Sequence, residues 1–190
     1  MRIIPALFAI LIISIFIPLS YANVTGSKPS QQQEGWMQDG KPIPDSDNIK
    51  SMNGFGAQLW LINDPSIFES WDKPETPNLP ITRTAIRNKP VFLIFLFINP
   101  GVDSSIRANV TADVTITSPD GNVYGDFKDI ELWQRDYPYP KNTIQLAVGN
   151  LGINIEDDEQ LGLYKVNAVI KDKNKKVILN LKTDFIAKEK

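Results

Sequence analysis

Along the chain the apolar positions fall into three textures. Residues 3–19 are almost unbroken apolar sequence. Residues 23–53 carry widely separated apolar side chains among Gln31-Gln32-Gln33 and scattered Ser, Gly and Pro, and from Phe55 onward short apolar runs alternate with Pro, Asn, Asp and Gly. The third texture is that of strands punctuated by turns. Val91–Ile98 reads VFLIFLFI between Pro90 and Pro100. It is too short to cross a membrane and is rich in branched and aromatic residues, which predicts a strand buried on both faces. Val110–Thr117 alternates instead, with Val110, Ala112, Val114 and Ile116 on one face and Thr111, Asp113, Thr115 and Thr117 on the other. That is the pattern of a half-buried antiparallel strand. Ser118-Pro119-Asp120-Gly121 then presets a tight turn, because proline fixes φ and glycine accepts positive φ, so residues 123–127 are predicted as the hairpin partner. Further strands are predicted over Phe55–Ile62 and residues 143–148, 151–155, 163–170 and 176–185, the last two joined by the polar turn Asp172-Lys173-Asn174-Lys175. One short helix is predicted over residues 65–71, opened by the capping carboxylate of Asp64 and by Pro65, with Phe68 and Trp71 on one side.

About eight strands at spacings near ten residues, without a βα alternation, predict an all-β antiparallel sandwich, with a closed β-barrel as the alternative. Leu161-Gly162-Leu163-Tyr164 favours the sandwich. In immunoglobulin-like folds a Gly-x-Tyr entering a late strand forms a tyrosine corner, whose hydroxyl returns to the backbone upstream. Tyr164 and Gly162 are the structural candidates for that corner. Residues 112–185 resemble immunoglobulin-like sandwich domains in general, with two departures: Val166 stands where the antibody-type cysteine would be, and Gln160 where the usual aspartate of the corner would be. More narrowly, Gly54-Phe55-Gly56-Ala57-Gln58-Leu59, Trp71-Asp72-Lys73-Pro74-Glu75-Thr76 and the run from Pro119 through Asp129 resemble segments of uncharacterised exported bacterial proteins with an immunoglobulin-like β-sandwich domain. That resemblance spans residues 54–185. It implies a compartment and a fold, and brings no catalytic residue with it.

The first texture predicts targeting. Arg2, the apolar run and the small residues of Ser20-Tyr21-Ala22 form a signal-peptide pattern with cleavage after Ala22. An uncleaved anchor is the competing possibility, since about 17 apolar residues lie at the lower edge of what spans a bilayer. The expected location is therefore exported, periplasmic or secreted, with membrane contact only through residues 1–22 if they are retained. The expected domain organisation is a signal peptide over 1–22, a disordered lead or tether over 23–53, and a sandwich domain over 54–190. Removing the first 22 of 190 residues leaves 168, enough for a core without disulfides.

Composition then narrows the chemistry. The chain has no histidine and no cysteine, which excludes Ser-His and Cys-His nucleophile systems, thiol redox chemistry, lipid attachment at a cysteine, and zinc sites with nitrogen and sulfur ligands. A formal charge of −2 supplies no electrostatic reason to bind nucleic acid. Ser70-Trp71-Asp72-Lys73 and Ser46-Asp47-Asn48 match elements of serine acyl-transfer enzymes. Their order along the chain is reversed, however, and the third element is only Lys182-Thr183-Asp184. Glu156-Asp157-Asp158-Glu159 lacks the glycine and the ligand spacing of a calcium loop, and is expected to be a solvated turn. Residues 165–190 hold eight lysines against Asp172, Asp184 and Glu189, expected on the outward face of the last two strands as a defence against edge-to-edge pairing.

The remaining candidate is Leu132-Trp133-Gln134-Arg135-Asp136-Tyr137-Pro138-Tyr139-Pro140, a proline-stiffened aromatic loop. Stiffly presented rings offer contact area at low entropic cost, so Trp133, Tyr137 and Tyr139 are the candidate ligand contacts; the competing role for these rings is to fold back and cap the core. No catalytic, cofactor or metal residue is expected. The function this supports is a non-enzymatic binding or accessory module for a protein or carbohydrate partner, with a carboxylate-dependent hydrolase or an inhibitor or immunity-type protein as alternatives. A pocket lined by two facing carboxylates would favour the hydrolase, and a shallow aromatic patch would favour binding.

Overall fold

The computed structural model describes residues 35–38, 40–73 and 78–190. The targeting segment and residues 23–34 of the expected lead lie outside the described residues.

Two sheets face each other. The first is built from β3 (Ile49–Met52), β4 (Phe55–Ile62), β6 (Val91–Ile98) and β10 (Leu151–Ile153), in the order β10-β6-β4-β3, with β9 (Gln145–Leu146) also pairing on β6. The second runs β5-β12-β11-β7-β8, from β5 (Thr84–Ile86), β12 (Val177–Lys188), β11 (Gly162–Asp172), β7 (Val110–Thr117) and β8 (Val123–Trp133). A two-stranded hairpin of β1 (Met37–Gln38) and β2 (Lys41–Pro42) precedes them. Neither sheet closes on itself among the described residues, so the fold is an immunoglobulin-like sandwich and not a barrel. It is antiparallel but for one pairing, β5 with β12, which is parallel.

The two predicted patterns explain the layers. Val91, Leu93, Phe95 and Phe97 of β6 point into the core between the sheets, while Ile94, Leu96 and Ile98 face outward and are buried as well. Strand β7 contributes Val110, Ala112, Val114 and Ile116 to the core from the opposite sheet. Thr111, placed on the polar face, is nevertheless fully covered, and its hydroxyl has no hydrogen-bond partner among the described residues.

The outer face of the first sheet explains why the expected lead is corrected. Trp36 is 3% exposed and packs on Leu96 and Ile98 with Ile43 and Ile49, its indole N–H donating to the Ala57 carbonyl at 3.3 Å. Within residues 35–53 the sparse apolar side chains are thus the cover of a sheet that is apolar on both faces, and the sandwich unit starts before residue 54. Asn53 and Gly54, at φ 52° and 78°, form the two-residue turn that pairs β3 with β4. Both positions need positive φ, which Asn and Gly supply at low cost.

Three smaller corrections follow. The helix is a single turn, Ile67–Ser70, with Ser66 at its N-cap; Asp64 accepts the Ser66 backbone N–H at 2.9 Å rather than capping a helix begun at Pro65. Strand β8 runs six residues past the predicted hairpin arm, through a bulge where Asp129 has φ 49° and donates its N–H to the Asp113 carboxylate at 2.9 Å. Of the C-terminal lysines, Lys171 lies on the interior strand β11 and pairs with Asp113 at 2.8 Å across the outer face, whereas β12 is paired by β5 only over Ile186–Lys188, which leaves the rest of that side, with Lys182, without a strand partner among the described residues.

Candidate functional site

One end of the sandwich gathers the turn between β3 and β4, the segment after β6, the segment after β8 and the turn between β11 and β12. A groove of about 760 Å³ opens there. Its walls are Gly35, Met37 and Pro42 at and beside the β1–β2 hairpin, the stretch from Asn99 to Val102, Tyr137 with the stretch from Tyr139 to Asn142, and the Asn174-Lys175 turn.

A buried carboxylate holds two of these walls together. Asp172, 1% exposed, accepts the backbone N–H of Gly101 at 2.6 Å through one oxygen and those of Asn174 and Lys175 at 3.1 and 3.0 Å through the other. Glycine is required at 101 because a Cβ there would lie 2.8 Å from the Lys175 backbone nitrogen. Lys175 ties in two further segments, its ammonium donating to the Asn53 and Asn99 carbonyls at 3.1 and 2.9 Å. Asn99 donates to the Gly54 carbonyl and to the Asn142 side chain, at 3.2 and 2.8 Å. Asn174 donates to the Gly101 and Arg107 carbonyls at 3.0 and 2.8 Å.

The three aromatic candidates divide. Trp133 is the last residue of β8 rather than a loop residue, is 6% exposed, packs edge-on against Phe97 at 5.6 Å and donates its indole N–H to the Asp136 carbonyl. Tyr137, 8% exposed, belongs to the same core cluster, and its hydroxyl donates to the Thr143 carbonyl at 3.3 Å. Burial pushes the Tyr137 phenol up to about 12. These two rings therefore cap the core, as large apolar surfaces do when a sheet end offers them cover. Tyr139 is 43% exposed and rests edge-on against both, 6.0 Å from Trp133 and 5.2 Å from Tyr137. It is the ring left for a ligand, standing on a buried aromatic base.

The hairpin, the Asn99–Val102 stretch and the 174–175 turn were not expected as site segments. Asn99-Pro100-Gly101 is a turn signal, but nothing local in it marks a binding wall, because the wall is held by contacts with residues 43 to 73 positions away.

The other chemical candidates fall into structural roles. Tyr164, 1% exposed, donates its hydroxyl to the Gln160 carbonyl at 2.8 Å, four residues upstream, stacks on Phe185, and follows Gly162 at φ 129°. That is the geometry of a tyrosine corner. In the acidic run, Glu159 accepts the Glu156 N–H at 2.7 Å and the Tyr124 hydroxyl at 3.1 Å, Asn88 donates to Asp157 at 2.7 Å, and Arg87 donates to the Glu156 and Glu159 carbonyls. The run is a pinned turn. No group of three or more acidic side chains able to hold a metal ion occurs among the described residues. Ser70 donates its hydroxyl to the Ile67 carbonyl within its own helix.

No family model matches the chain. No curated protein matches it. Among solved structures, a family 123 glycoside hydrolase from Clostridium perfringens is similar at 15% identity and TM-score 0.41, over 72% of this chain and 28% of that one. A Niemann-Pick type C2 protein from Japanese carpenter ant is similar at 16% identity and TM-score 0.37, over 70% and 89% of the two chains. A CARDB domain from Pyrococcus furiosus is similar at 13% identity and TM-score 0.35, over 76% and 97%. The chain spans little more than a quarter of the hydrolase's length. The fold assignment rests on strand order and pairing, not on these likenesses.

Proposed function

We propose that the protein is an exported, non-enzymatic binding module that engages its partner through the groove at the Tyr139 end of the sandwich. The observation that carries this is the division among the aromatic residues: two rings are committed to the core and one is held upright and exposed beside a groove. A ring braced in this way loses little freedom on contact, so its burial contributes to affinity rather than to ordering. Among the described residues the groove lining contains no aspartate or glutamate, and the chain has no histidine, so the described lining offers no pair of facing carboxylates of the kind a hydrolase would use and supports binding over acid–base chemistry. Export rests on Arg2, the apolar run over 3–19 and the small residues before Asn23.

Site-specific photo-crosslinking tests the surface. A benzophenone side chain in place of Tyr139 should give a discrete cross-linked species when the protein is made in cells that export it. The same group in place of Ile178, 55% exposed on β12, should not. Equal labelling from both positions, or none from position 139, would remove the groove as the contact surface.

A further inference from the structure

The groove's chemistry, taken together with its reading as the contact surface, narrows the partner. Its apolar side is Tyr139 with Pro140, Pro100, Val102, Met37 and Pro42. An aromatic ring set among prolines is the surface against which extended, proline-containing peptides lie, since the polyproline II conformation is already ordered before binding.

The polar side is sparse. The Asn99 and Asn174 side-chain amides spend their donors on the Gly54, Gly101 and Arg107 carbonyls and on Asn142. Few polar groups are left to grip the many hydroxyls of a sugar. Two ammonium groups, Lys141 and Lys175, line the groove, and the contacts of Lys175 leave its charge available. Lys175 donates to two backbone carbonyls and forms no ion pair among the described residues, while the nearest carboxylate in sequence, Asp172, is buried and occupied by three backbone N–H groups. An ammonium has three donors, so among the described residues Lys175 keeps one N–H and an unneutralised charge beside the apolar wall.

We infer that the partner is an extended, proline-containing peptide segment bearing an acidic side chain, with its prolines against Tyr139 and its carboxylate at Lys175. The carboxylate makes a charge-assisted hydrogen bond to the remaining N–H, and the prolines cover the ring.

Fluorescence anisotropy with the whole chain tests this, using labelled, C-terminally amidated peptides that share a proline spacing and carry Glu, Gln or Lys at one position. The Glu peptide should bind about tenfold or more tightly than the Gln peptide, a difference of about 1.4 kcal/mol, and should weaken as salt rises from about 0.1 M to about 1 M. Lys175→Met should erase the Glu-over-Gln preference and Lys175→Arg should restore it. Tyr139→Ala should weaken all the peptides. Because Lys175 also braces the loops, the Glu-to-Gln exchange in the peptide decides the matter even if Lys175→Met fails to fold. Equal binding of the Glu, Gln and Lys peptides, or no binding by any peptide, would overturn the inference. If such a result came with a position-139 cross-link intact, the ligand class would fall and the groove would stand. Peptides that bind Tyr139→Ala as well as the parent would remove both.

Discussion

At the scale of single residues, two buried polar groups at opposite ends of the sandwich do the work of loops that have little core of their own. Asp172 fastens the groove end through three backbone N–H groups, and Tyr164 fastens the other end through one carbonyl. The Tyr164 ring stays stacked on Phe185 whether or not it carries a hydroxyl, so Tyr164→Phe isolates the hydrogen bond. It should cost on the order of 1 kcal/mol or somewhat more. Denaturant melts showing no loss would mean that the carbonyl of Gln160 is satisfied without it. Tyr164 could be picked out in sequence because the corner is local, within four residues. Asp172 could not, since one of its partners lies 71 positions away and its neighbours Lys171 and Lys173 make it look like a solvated turn residue.

At the scale of elements, alternation and apolar runs identify β4, β6, β7 and the β11–β12 hairpin directly, because β7, β11 and β12 follow period two over eight or more residues while β4 and β6 are nearly unbroken apolar runs of eight. The short strands are less legible. Residues 35–53 look like a tether by composition, yet Asn53-Gly54 followed by alternating apolar positions is a strong hairpin signal and marks β3. Apolar residues that cover the outside of a sheet need no period of their own, since the sheet beneath supplies the pattern. Trp36→Ala accordingly should lower stability by about 3–5 kcal/mol through lost burial and the cavity left over Leu96 and Ile98, whereas a tether would tolerate the change. Urea or thermal unfolding of the full chain reads the difference.

At the scale of the whole molecule, the neutral phenols are built in. Burial raises the proton affinity of Tyr137 to about 12, and burial followed by Glu159 raises that of Tyr124 and Tyr164 above the ordinary value of 10.0. The unfolded chain releases these protons near that ordinary value while the folded chain retains them. The stability they contribute is therefore fully present below about pH 10 and is lost as pH rises through the folded values. Unfolding midpoints should fall between about pH 9 and about pH 12, and Tyr137→Phe should flatten part of that fall; a midpoint constant across the range would contradict the burial of these hydroxyls. The groove itself was legible only in its Tyr137 and Tyr139 wall, because its other walls come from stretches near residues 35–42, 99–102 and 174–175. That dispersion makes the groove a property of the completed fold alone. No fragment of the unfolded chain can present it, so a ligand seated there binds the native state and not its competitor, and at a hundred times its dissociation constant adds about 2.7 kcal/mol to the cohesion of both sheets. Occupancy would then be legible as resistance to proteolysis far from Tyr139, along β10 and β5, which the ligand never touches.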